Sequence, residues 1–416
     1  STALKYKNKK KYIFILLNMF KSLGERSLNF GFSGMENQTS IFTRVNGWAS
    51  QSGAINLGQG FPDSAPPALL LDAVGEALQE NYYQYVPSFG LLGLRNQIST
   101  IWKEDFDVNL NPETQITITA GATQALHDAI SSFVQAGDEV LLLDPAYDSY
   151  APVVLQVGAI PVRIPMEFSL LSGFYLNWDR IRDAIGSNTK LWIINNPHNP
   201  TGYCLNASDY KEIDHIMNQN SGLHLLGDEV YAYLVFEDKF RSFLDFGDWK
   251  ERVLVVHSFG KTYHCTGWKL GYAAGSFNWN QKLRSRHEYN VFCVNSLMQR
   301  SFEIYLPKDT NRSGIADYYL EQRNYLLSLL EGKPIGYIPV QGTYFQWIDL
   351  SFLNTQISDV ELAKEWALNA GCAMIPFSPF MENAPLSGPL LMRLCFAKSK
   401  EKMQKGMNNL FQYLGI

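Results

Sequence analysis

Short, continuous apolar runs recur through the middle of the chain and alternate with stretches of helical or loop character. The clearest runs lie at residues 139–144, 191–194, 223–226 and 253–256. Runs of this length without polar alternation are typical of strands that are buried on both faces, as in parallel sheets. The pattern therefore predicts an α/β core that is built on a mainly parallel sheet.

The remaining pattern predicts further elements on either side of these runs. Alternating residues at 115–119 predict a strand, and the stretch 124–133 predicts a helix. Beyond residue 309 the chain becomes helix-like at 318–330 and strand-like at 343–348 and 390–396. We interpret this last part as belonging to a second, smaller domain.

Composition and charge narrow the class of protein. The chain has 416 residues, of which 46% are hydrophobic and 18% are charged, and its net charge is −5. This globular composition lacks the basic excess of a nucleic-acid-binding protein, so no nucleic-acid partner is predicted. The five cysteines are odd in number and show no CxxC spacing. They indicate reduced thiols in a cytoplasmic protein, with neither a disulfide framework nor a metal site.

The first 34 residues differ from the rest of the chain. A basic stretch at 5–11 precedes a mostly apolar stretch at 12–20, which Asn18 interrupts. A membrane span needs about 20 apolar residues, and a signal peptide needs a longer apolar region and a cleavage site. We predict no membrane partner and expect residues 1–34 to be a disordered extension, or a translated segment upstream of a start at Met35. A targeting role stays open.

The segment from Ser258 to Gly271 carries the strongest chemical signal. Lys261 stands in a short Ser/Gly turn directly after the apolar run at 253–256, and Lys269 follows eight positions later. In parallel sheets, ligands gather at the carboxyl ends of the strands. An amine at such a strand end can do covalent chemistry, while Ser258 and Lys269 can hold an anion beside it. A solvated surface lysine is the plainer alternative.

Three more polar residues follow apolar runs, and this position would place them near the same edge of the predicted sheet. Asp228 comes after the run at 223–226, and Tyr231 comes three positions later. Asn199 lies in a turn at 195–202 that two X-Pro steps and a glycine make rigid. Together they can offer a carboxylate, a hydroxyl and an amide to a ligand. Taken singly, they can equally be a helix cap, a packing tyrosine and an ordinary turn residue.

Two segments are candidates for anion binding. The predicted helix opens with Gly121, Ala122 and Thr123. Their backbone N–H groups and the helix dipole favour the binding of a phosphate. Such a helix start is weak evidence by itself. Arg393 lies inside an apolar strand pattern, where a charge is costly unless it is paired. Its planar guanidinium fits a carboxylate bidentately. A buried structural salt bridge is the alternative.

In combination these segments resemble those of fold-type-I, pyridoxal-phosphate-dependent aminotransferases of class I and II. Residues 258–271 resemble the family's lysine segment, and residues 195–202 resemble its NPxNPTG turn. Residues 56–63, which read NLGQGFPD, and the lysine segment look like the branch of methionine, kynurenine and glutamine transaminases. The resemblance begins at about residue 40 and continues to the C-terminus. It implies a large α/β domain with a seven-stranded, mostly parallel sheet and a smaller α/β domain.

The resemblance also implies a role for each candidate residue. Lys261 forms a Schiff base with pyridoxal phosphate, and its freed amine then moves the proton of the substrate Cα. Asp228 keeps the pyridine nitrogen protonated, while Tyr231 and Asn199 bind the ring oxygen and Tyr147 stacks on the ring. The predicted catalytic residues are Lys261, Asp228 and Tyr231; the predicted cofactor-binding residues are Tyr85, Ala122, Thr123, Tyr147, Asn199, Asp228, Tyr231, Ser258, Lys261 and Lys269; the predicted substrate-binding residues are Gly60, Asn199, Phe292, Cys293 and Arg393. Family members often carry arginine where Lys269 stands. Lysine supplies the same charge, but it cannot make the two parallel hydrogen bonds of a guanidinium.

The same resemblance implies an assembly and a division into domains. Tyr85 matches a tyrosine that reaches the phosphate of the neighbouring subunit, and Phe292 and Cys293 match a segment that lines the partner's substrate site. These matches imply a homodimer with shared active sites. We expect a large domain at residues 65–308, and a small domain made of residues 35–64 and 309–416.

The function implied is ping-pong transfer of an α-amino group to a 2-oxo acid. We expect a neutral, bulky L-amino acid as donor, such as methionine, glutamine, an aromatic amino acid or kynurenine, because no second arginine is identified for a side-chain carboxylate. A β-lyase that cleaves cysteine conjugates or cystathionine is the main alternative, since both reactions begin with loss of the Cα proton. A regulator's effector domain is disfavoured, because the first 40 residues are too short for a DNA-binding domain.

Overall fold

Strands and helices alternate along the part of the chain that the computed structural model describes, which is residues 39–237, 239–312, 314–382 and 388–416. The predicted extension at 1–34 lies outside these residues. The strands are β1 Ile55–Asn56, β2 Ile116–Thr119, β3 Glu139–Asp144, β4 Ile160–Pro165, β5 Glu167–Ser169, β6 Gly173–Tyr175, β7 Thr189–Asn195, β8 His224–Asp228, β9 Val253–Ser258, β10 Gly271–Gly275, β11 Phe345–Asp349, β12 Cys372–Ala373, β13 Ile375–Pro376 and β14 Leu391–Cys395. The α-helices are α1 Ile41–Ser52, α2 Ala68–Gln79, α3 Leu92–Phe106, α4 Ala122–Phe133, α5 Tyr150–Gln156, α6 Trp178–Asp183, α7 Ala207–Gln219, α8 Phe259–Thr262, α9 Phe277–Asn290, α10 Ser296–Tyr305, α11 Gly314–Leu330, α12 Asp359–Glu365 and α13 Lys400–Leu414, and the π-helical turn Trp366–Ala370 extends α12.

Seven of these strands form the central sheet, in the order β2-β10-β9-β8-β7-β3-β4. All neighbours are parallel except β10, which is antiparallel to β2 and β9. The apolar runs become β3, β7, β8 and β9, whose apolar side chains are buried. The prediction of a seven-stranded, mostly parallel sheet is therefore confirmed.

Three neighbouring strands end together and bring their last polar residues to one edge of this sheet. β7 ends at Asn195, β8 at Asp228 and β9 at Ser258. Asn195 pairs directly with Asp228 in the sheet register, and the Asn195 Nδ2 donates to the Asp228 carbonyl at 2.8 Å. The parallel arrangement thus collects these side chains at the carboxyl ends of the strands, as expected for an α/β sheet.

Helix α4 approaches this edge closely because Gly271 has no side chain. A Cβ at Gly271 would lie 2.5 Å from the His257 carbonyl oxygen and 3.1 Å from the Ala122 nitrogen. Gly121, directly before the helix, has a φ of 77° and ψ of 170°. This turn lets α4 begin at Ala122, two residues before the predicted start at 124.

A second group of elements contains the predicted C-terminal strands. The expected strands at 343–348 and 390–396 are observed as β11 and β14, which pair antiparallel in the sheet β11-β14-β13. Arg393 lies in the middle of this sheet, paired with Trp347 and Ile375. Residues 40–416 form one compact unit, and the predicted boundaries between a large and a small domain stay a prediction.

A buried polar cluster anchors the end of β8. Glu229 is fully buried; it accepts hydrogen bonds from the Ser242 Oγ and the Phe243 N–H, and it pairs with the His257 Nε2 at 3.1 Å. These contacts satisfy a carboxylate that would otherwise be costly to bury. They fix the backbone next to Asp228.

Within the described residues, no helix has both the length and the apolar character needed to cross a membrane.

The close approach at Gly271 predicts a difference between two glycine-to-alanine replacements. Gly271→Ala should lower the free energy of unfolding by about 1–3 kcal/mol, because the backbone around the added methyl must shift. Gly47→Ala is the matched control: Gly47 lies within α1, and an added Cβ would have no neighbour within 4 Å. It should raise the stability by about 0.5–1 kcal/mol. Urea unfolding of both proteins measures this, and equal stabilities would contradict it.

Candidate active site

A cavity of about 300 Å³ lies at the carboxyl edge of the central sheet. Eleven of the predicted site residues line it: Gly60, Ala122, Thr123, Tyr147, Asn199, Asp228, Tyr231, Ser258, Lys261, Lys269 and Arg393. Phe42, Tyr150 and Phe345 also line it and were not among the predicted site residues. The sequence motifs, which are far apart along the chain, therefore meet in one place.

Lys261 occupies the short helix α8, which directly follows β9. Its Nζ lies 5.8 Å from the centre of the Tyr231 ring and 5.7 Å from the centre of the Tyr344 ring. The pKa of Lys261 is lowered to about 8. Burial is the main cause, and the cations Arg393 and Lys269 act in the same direction, while Cys395 and Asp228 act against it. A lowered pKa increases the neutral amine fraction near pH 7, and the neutral amine is the nucleophilic and basic form.

Asp228 is a buried carboxylate at the end of β8. Tyr150 donates to its Oδ2 at 2.5 Å, and the Val230 N–H donates to its Oδ1 at 3.4 Å. Burial raises the pKa of Asp228, while the hydrogen bonds and the Lys261 charge lower it. A carboxylate held in this way can pair with a cationic ring nitrogen of a ligand.

Sequence reasoning missed Tyr150, the first residue of α5. Burial, together with the adjacent Asp228 charge, raises the pKa of Tyr150 well above its ordinary value, so the hydroxyl stays a donor. The chain has 22 tyrosines, and spacing alone gave no reason to single this one out. Its role depends on how α5 packs beside β8.

The start of α4 and Lys269 form an anion-binding corner of the cavity. No side chain in the described structure caps this helix start, so its first N–H groups have no side-chain acceptor there, and Ala122 and Thr123 line the cavity. The Lys269 Nζ lies 3.4 Å from the point that a Cβ on Gly121 would occupy. Ser258 lines the cavity on the same edge. Partial positive charge from the helix and a full charge from Lys269 suit a phosphate.

Arg393 is buried at 1% exposure, and the charge of Asp148 acts on it without forming an ion pair. Its Nη1 donates to the Asn199 Oδ1 at 2.5 Å and its Nη2 donates to the Gly58 carbonyl at 3.3 Å, but its Nε has no hydrogen-bond partner in the described structure. Among the described residues, no carboxylate lies within salt-bridge distance of it, so the alternative of a structural salt bridge finds no support there. Burial lowers the pKa of Arg393 to about 10.

Aromatic rings enclose the Arg393 guanidinium. Its Cζ lies 3.8 Å from the centre of the Phe345 ring, 5.0 Å from that of Phe380 and 5.2 Å from that of Phe42. Rings at these distances attract a cation and hold the guanidinium plane. An open, oriented guanidinium of this kind can bind a ligand carboxylate.

Asn199 and Tyr147 complete the cavity wall. The Asn199 N–H donates to the Asn195 Oδ1 at 2.7 Å, and its own Oδ1 accepts from Arg393. The side-chain Nδ2 of Asn199 is therefore the group available to a ligand. Burial raises the pKa of Tyr147 to about 12, and a hydrogen bond with the Thr123 side chain acts against this rise.

Three predicted residues lie outside the cavity: Tyr85, Phe292 and Cys293. The Tyr85 ring is 79% exposed and meets the half-exposed Phe292 ring edge-on, with centroids 5.1 Å apart. Phe292 has a φ of 67°, and Cys293 is partly buried. One chain alone does not bring these residues to its own cavity, and their predicted roles in a partner's site stay predictions.

Comparison with known proteins places the chain in a family. Residues 52–410 match the family described as aminotransferase class I and II. A methionine aminotransferase of Escherichia coli is 33% identical over 90% of this chain and 96% of its own length. A kynurenine–oxoglutarate transaminase of Dictyostelium discoideum is 30% identical over 90% of this chain and 94% of its own. An aspartate aminotransferase of Sulfolobus acidocaldarius is 31% identical over 86% of this chain and 90% of its own.

The fold agrees with this result. The crystal structure of YbdL from Escherichia coli, described as having a methionine aminotransferase function, superposes with a TM-score of 0.85 at 32% identity, covering 90% of this chain and 97% of that one. The family cofactor, pyridoxal phosphate, fits the groups around the cavity. The start of α4 with Lys269 suits its phosphate, Asp228 suits its ring nitrogen and Lys261 offers an amine to its aldehyde. The chain belongs to the class I and II aminotransferase family and is a pyridoxal-phosphate-dependent aminotransferase.

Proposed function

We propose that the cavity transfers the α-amino group of a neutral, bulky L-amino acid to a 2-oxo acid in a ping-pong reaction. Methionine, glutamine, aromatic amino acids and kynurenine are the proposed donors. The proposal is carried by Arg393: a buried guanidinium with no acidic partner among the described residues faces a cavity with aromatic walls. It can bind one carboxylate, the α-carboxylate that every amino-acid donor has.

Different residues of the cavity are proposed to hold the cofactor and the substrate. Pyridoxal phosphate, when bound, supplies an aldehyde that captures amines and a ring that withdraws electrons from the substrate Cα. Ala122, Thr123, Ser258 and Lys269 are proposed to hold its phosphate, and Asp228, Tyr231, Asn199 and Tyr147 its ring. Asp228 is suited to this because its carboxylate is buried and fixed by Tyr150.

Arg393 is proposed to set the orientation of the donor. The Asn199 amide and three aromatic rings fix the guanidinium plane before substrate arrives. Little ordering is then needed on binding, so the interaction energy is available for positioning the Cα–H bond. Gly60 lines the cavity and is proposed to bring its backbone close to the same carboxylate. A Cβ there would lie 2.6 Å from the Phe345 ring, so the glycine also lets this ring pack beside Arg393.

Lys261 is proposed as the base. Because burial and two neighbouring cations lower the pKa of Lys261 to about 8, a substantial fraction of its amine can accept a proton near neutral pH. Its Nζ would take the proton from the substrate Cα and would deliver it to the aldehyde-derived carbon of the cofactor, which is the proton shift that transamination requires. The nearby aromatic faces of Tyr231 and Tyr344 stabilise the protonated amine in the interval.

The donor side chain is proposed to be uncharged. Besides Lys261 and Lys269, which have other proposed tasks, the described lining of the cavity includes Arg393 as its one further cation. Phe42, Phe61 and Phe345 offer apolar surface instead. The names of the methionine and kynurenine relatives support such donors, whereas the aspartate aminotransferase shows that the family includes acidic donors too.

A homodimer with shared active sites is the proposed assembly. The exposed Tyr85–Phe292 pair supports it, because two large aromatic rings in contact at the surface are suited to burial against another chain. In such a dimer Phe292 would bring an apolar ring to the partner's donor pocket. We also keep two domains with the boundaries given above, and a cytoplasmic location, as proposals. The odd number of cysteines and the lack of a CxxC spacing support a reducing compartment.

Donor selectivity tests the proposal. With a common 2-oxo acid acceptor, kcat/KM for methionine and phenylalanine should exceed that for aspartate by at least about 10-fold, because a side-chain carboxylate would be desolvated without a cation. Chromatographic assay of the new 2-oxo acid measures each rate. Comparable turnover of aspartate and methionine would overturn the donor class. Pyruvate and ammonia from a cysteine conjugate, formed without an acceptor, would favour the β-lyase alternative.

The lowered pKa of Lys261 predicts a pH dependence that differs from that of other lysines. Only the neutral amine attacks an aldehyde, so brief incubation of the apoprotein with pyridoxal phosphate, followed by borohydride reduction, should label Lys261 half-maximally near pH 8. Labelling falls at lower pH, where the amine is protonated. Peptide mass spectrometry quantifies it, with the half-exposed Lys103 as internal control. Labelling of Lys261 that still rises beyond pH 10 would contradict the prediction.

A further inference from the structure

The segment after β1 carries two neighbouring residues of the cavity lining, Gly60 and Phe61. The Gly60 carbonyl accepts a hydrogen bond from the Tyr344 hydroxyl at 3.0 Å, which fixes the backbone at that point. The Phe61 side chain needs a further constraint, because Phe61 is 38% exposed and core packing does not enclose its ring. Such a ring keeps one orientation only if other contacts offset the loss of rotamer freedom.

Lys398 makes these contacts, although it is not among the described residues that line the cavity. Its Nζ donates to the Phe61 carbonyl oxygen at 2.8 Å and lies 4.2 Å from the centre of the Phe61 ring. An ammonium group at this distance from a ring is attracted to the aromatic face. One cation therefore binds both the backbone and the ring of the same residue.

The ammonium group of Lys398 is buried, and its charge is paired. The residue is 3% exposed, and lysine is almost never fully buried unless it is paired. The partner is Asp63, whose Oδ1 lies 3.3 Å from the Lys398 Nζ and whose Oδ2 lies 2.9 Å from the Nζ of Lys402. Asp63 stands two positions after Phe61. The Lys398 Nζ thus contacts one short segment at a carbonyl, a ring and a carboxylate.

The position of Lys398 in the chain relates it to the substrate site. It stands five positions after Arg393, in the connection between β14 and α13. One continuous stretch therefore carries the guanidinium that is proposed to bind the donor carboxylate and the ammonium group that contacts Phe61. The distance between the carboxylate site and the Phe61 ring depends on this stretch.

We propose that Lys398 is a positioning residue for donor specificity, which holds the Phe61 ring as an apolar wall for the side chains of long, uncharged donors. The inference rests on the proposed function, in which Arg393 binds the donor carboxylate and phenylalanine rings offer apolar surface. A ring that is ordered before the donor arrives lowers the entropy cost of binding a long side chain. Alanine, whose side chain is a single methyl group, gains little from such a wall.

Lys398→Met tests the inference, because methionine keeps a long unbranched side chain and removes the ammonium group. The kcat/KM of the holoenzyme is measured for phenylalanine and for alanine with a common 2-oxo acid acceptor. The ratio of phenylalanine to alanine should fall by about 5-fold, since a cation–ring contact and a charged hydrogen bond are lost. Phe61→Ala should lower this ratio at least as much. In the Phe61→Ala background, Lys398→Met should lower it no further.

Lys400 offers a control of similar chemistry. Its Nζ pairs with Glu321 and lies 5.4 Å from the centre of the Tyr325 ring, and the described cavity lining includes none of the three. Lys400→Met should therefore leave the donor ratio unchanged. Thermal unfolding checks that each variant folds. Lys398→Gln is the second variant: its amide can still donate to the Phe61 carbonyl, but it offers no cation to the ring, so the ratio should fall here too.

The outcomes separate the inference from the function on which it rests. If Phe61→Ala lowers the ratio but neither replacement of Lys398 does, the inference is overturned while the apolar wall stands. An equal fall of kcat/KM for both donors after replacement of Lys398 would also overturn it, since that would reflect a general loss of structure. If Phe61→Ala itself leaves the ratio unchanged, Phe61 is no part of the donor wall and the inference fails with it. The donor class is tested separately, by methionine against aspartate in the unaltered enzyme.

Discussion

The buried, unpaired charge of Arg393 is the constraint on which the rest of the site depends. A guanidinium at 1% exposure is costly, and among the described residues no carboxylate forms an ion pair with it, although the charge of Asp148 acts on it from a greater distance. The fold compensates with the Asn199 amide, the Gly58 carbonyl and aromatic faces, led by Phe345 at 3.8 Å. These partners hold the charge in place without neutralising it. The cavity consequently keeps a positive potential that favours anionic ligands. This potential adds to the effect of burial, which is the main cause of the lowered pKa of Lys261.

Two sheets must meet for this arrangement to exist. The parallel sheet supplies Asp228 and Ser258 at the ends of adjacent strands, and α8 places Lys261 one turn beyond. The antiparallel sheet supplies Arg393 from the middle of β14. The contact between Arg393 and Asn199 spans 194 positions of the chain and connects the two. In the proposed mechanism, this contact therefore holds the substrate-binding group in place relative to the proton-transferring lysine.

Much of the fold and of the site could be predicted from the sequence, and there are physical reasons why the remaining features could not. Continuous apolar runs indicated β7, β8 and β9, and the polar residues after them indicated the site edge. Tyr150 and Tyr344 escaped notice because a tyrosine beside a strand usually signals packing; only tertiary contacts give their hydroxyls partners. The early start of α4 depends on the turn that Gly121 makes with a positive φ, and the close approach of this helix to the sheet depends on Gly271. Roles for Tyr85 and Phe292 require a second chain, which no single-chain pattern can supply.

The most direct measurement of the central claim compares Arg393→Lys on two donors: methionine, and 3-(methylthio)propylamine, which lacks the carboxylate. Lysine keeps the positive charge but cannot make the two parallel hydrogen bonds that a planar guanidinium makes to a carboxylate. The kcat/KM for methionine should therefore fall by about 10–100-fold, while the rate with 3-(methylthio)propylamine changes little. Arg323→Lys serves as control, because Arg323 is also buried against an aromatic ring, that of Phe236 at 5.3 Å, but outside the cavity lining. Equal losses on both donors in Arg393→Lys would contradict a carboxylate-binding role and indicate a structural one.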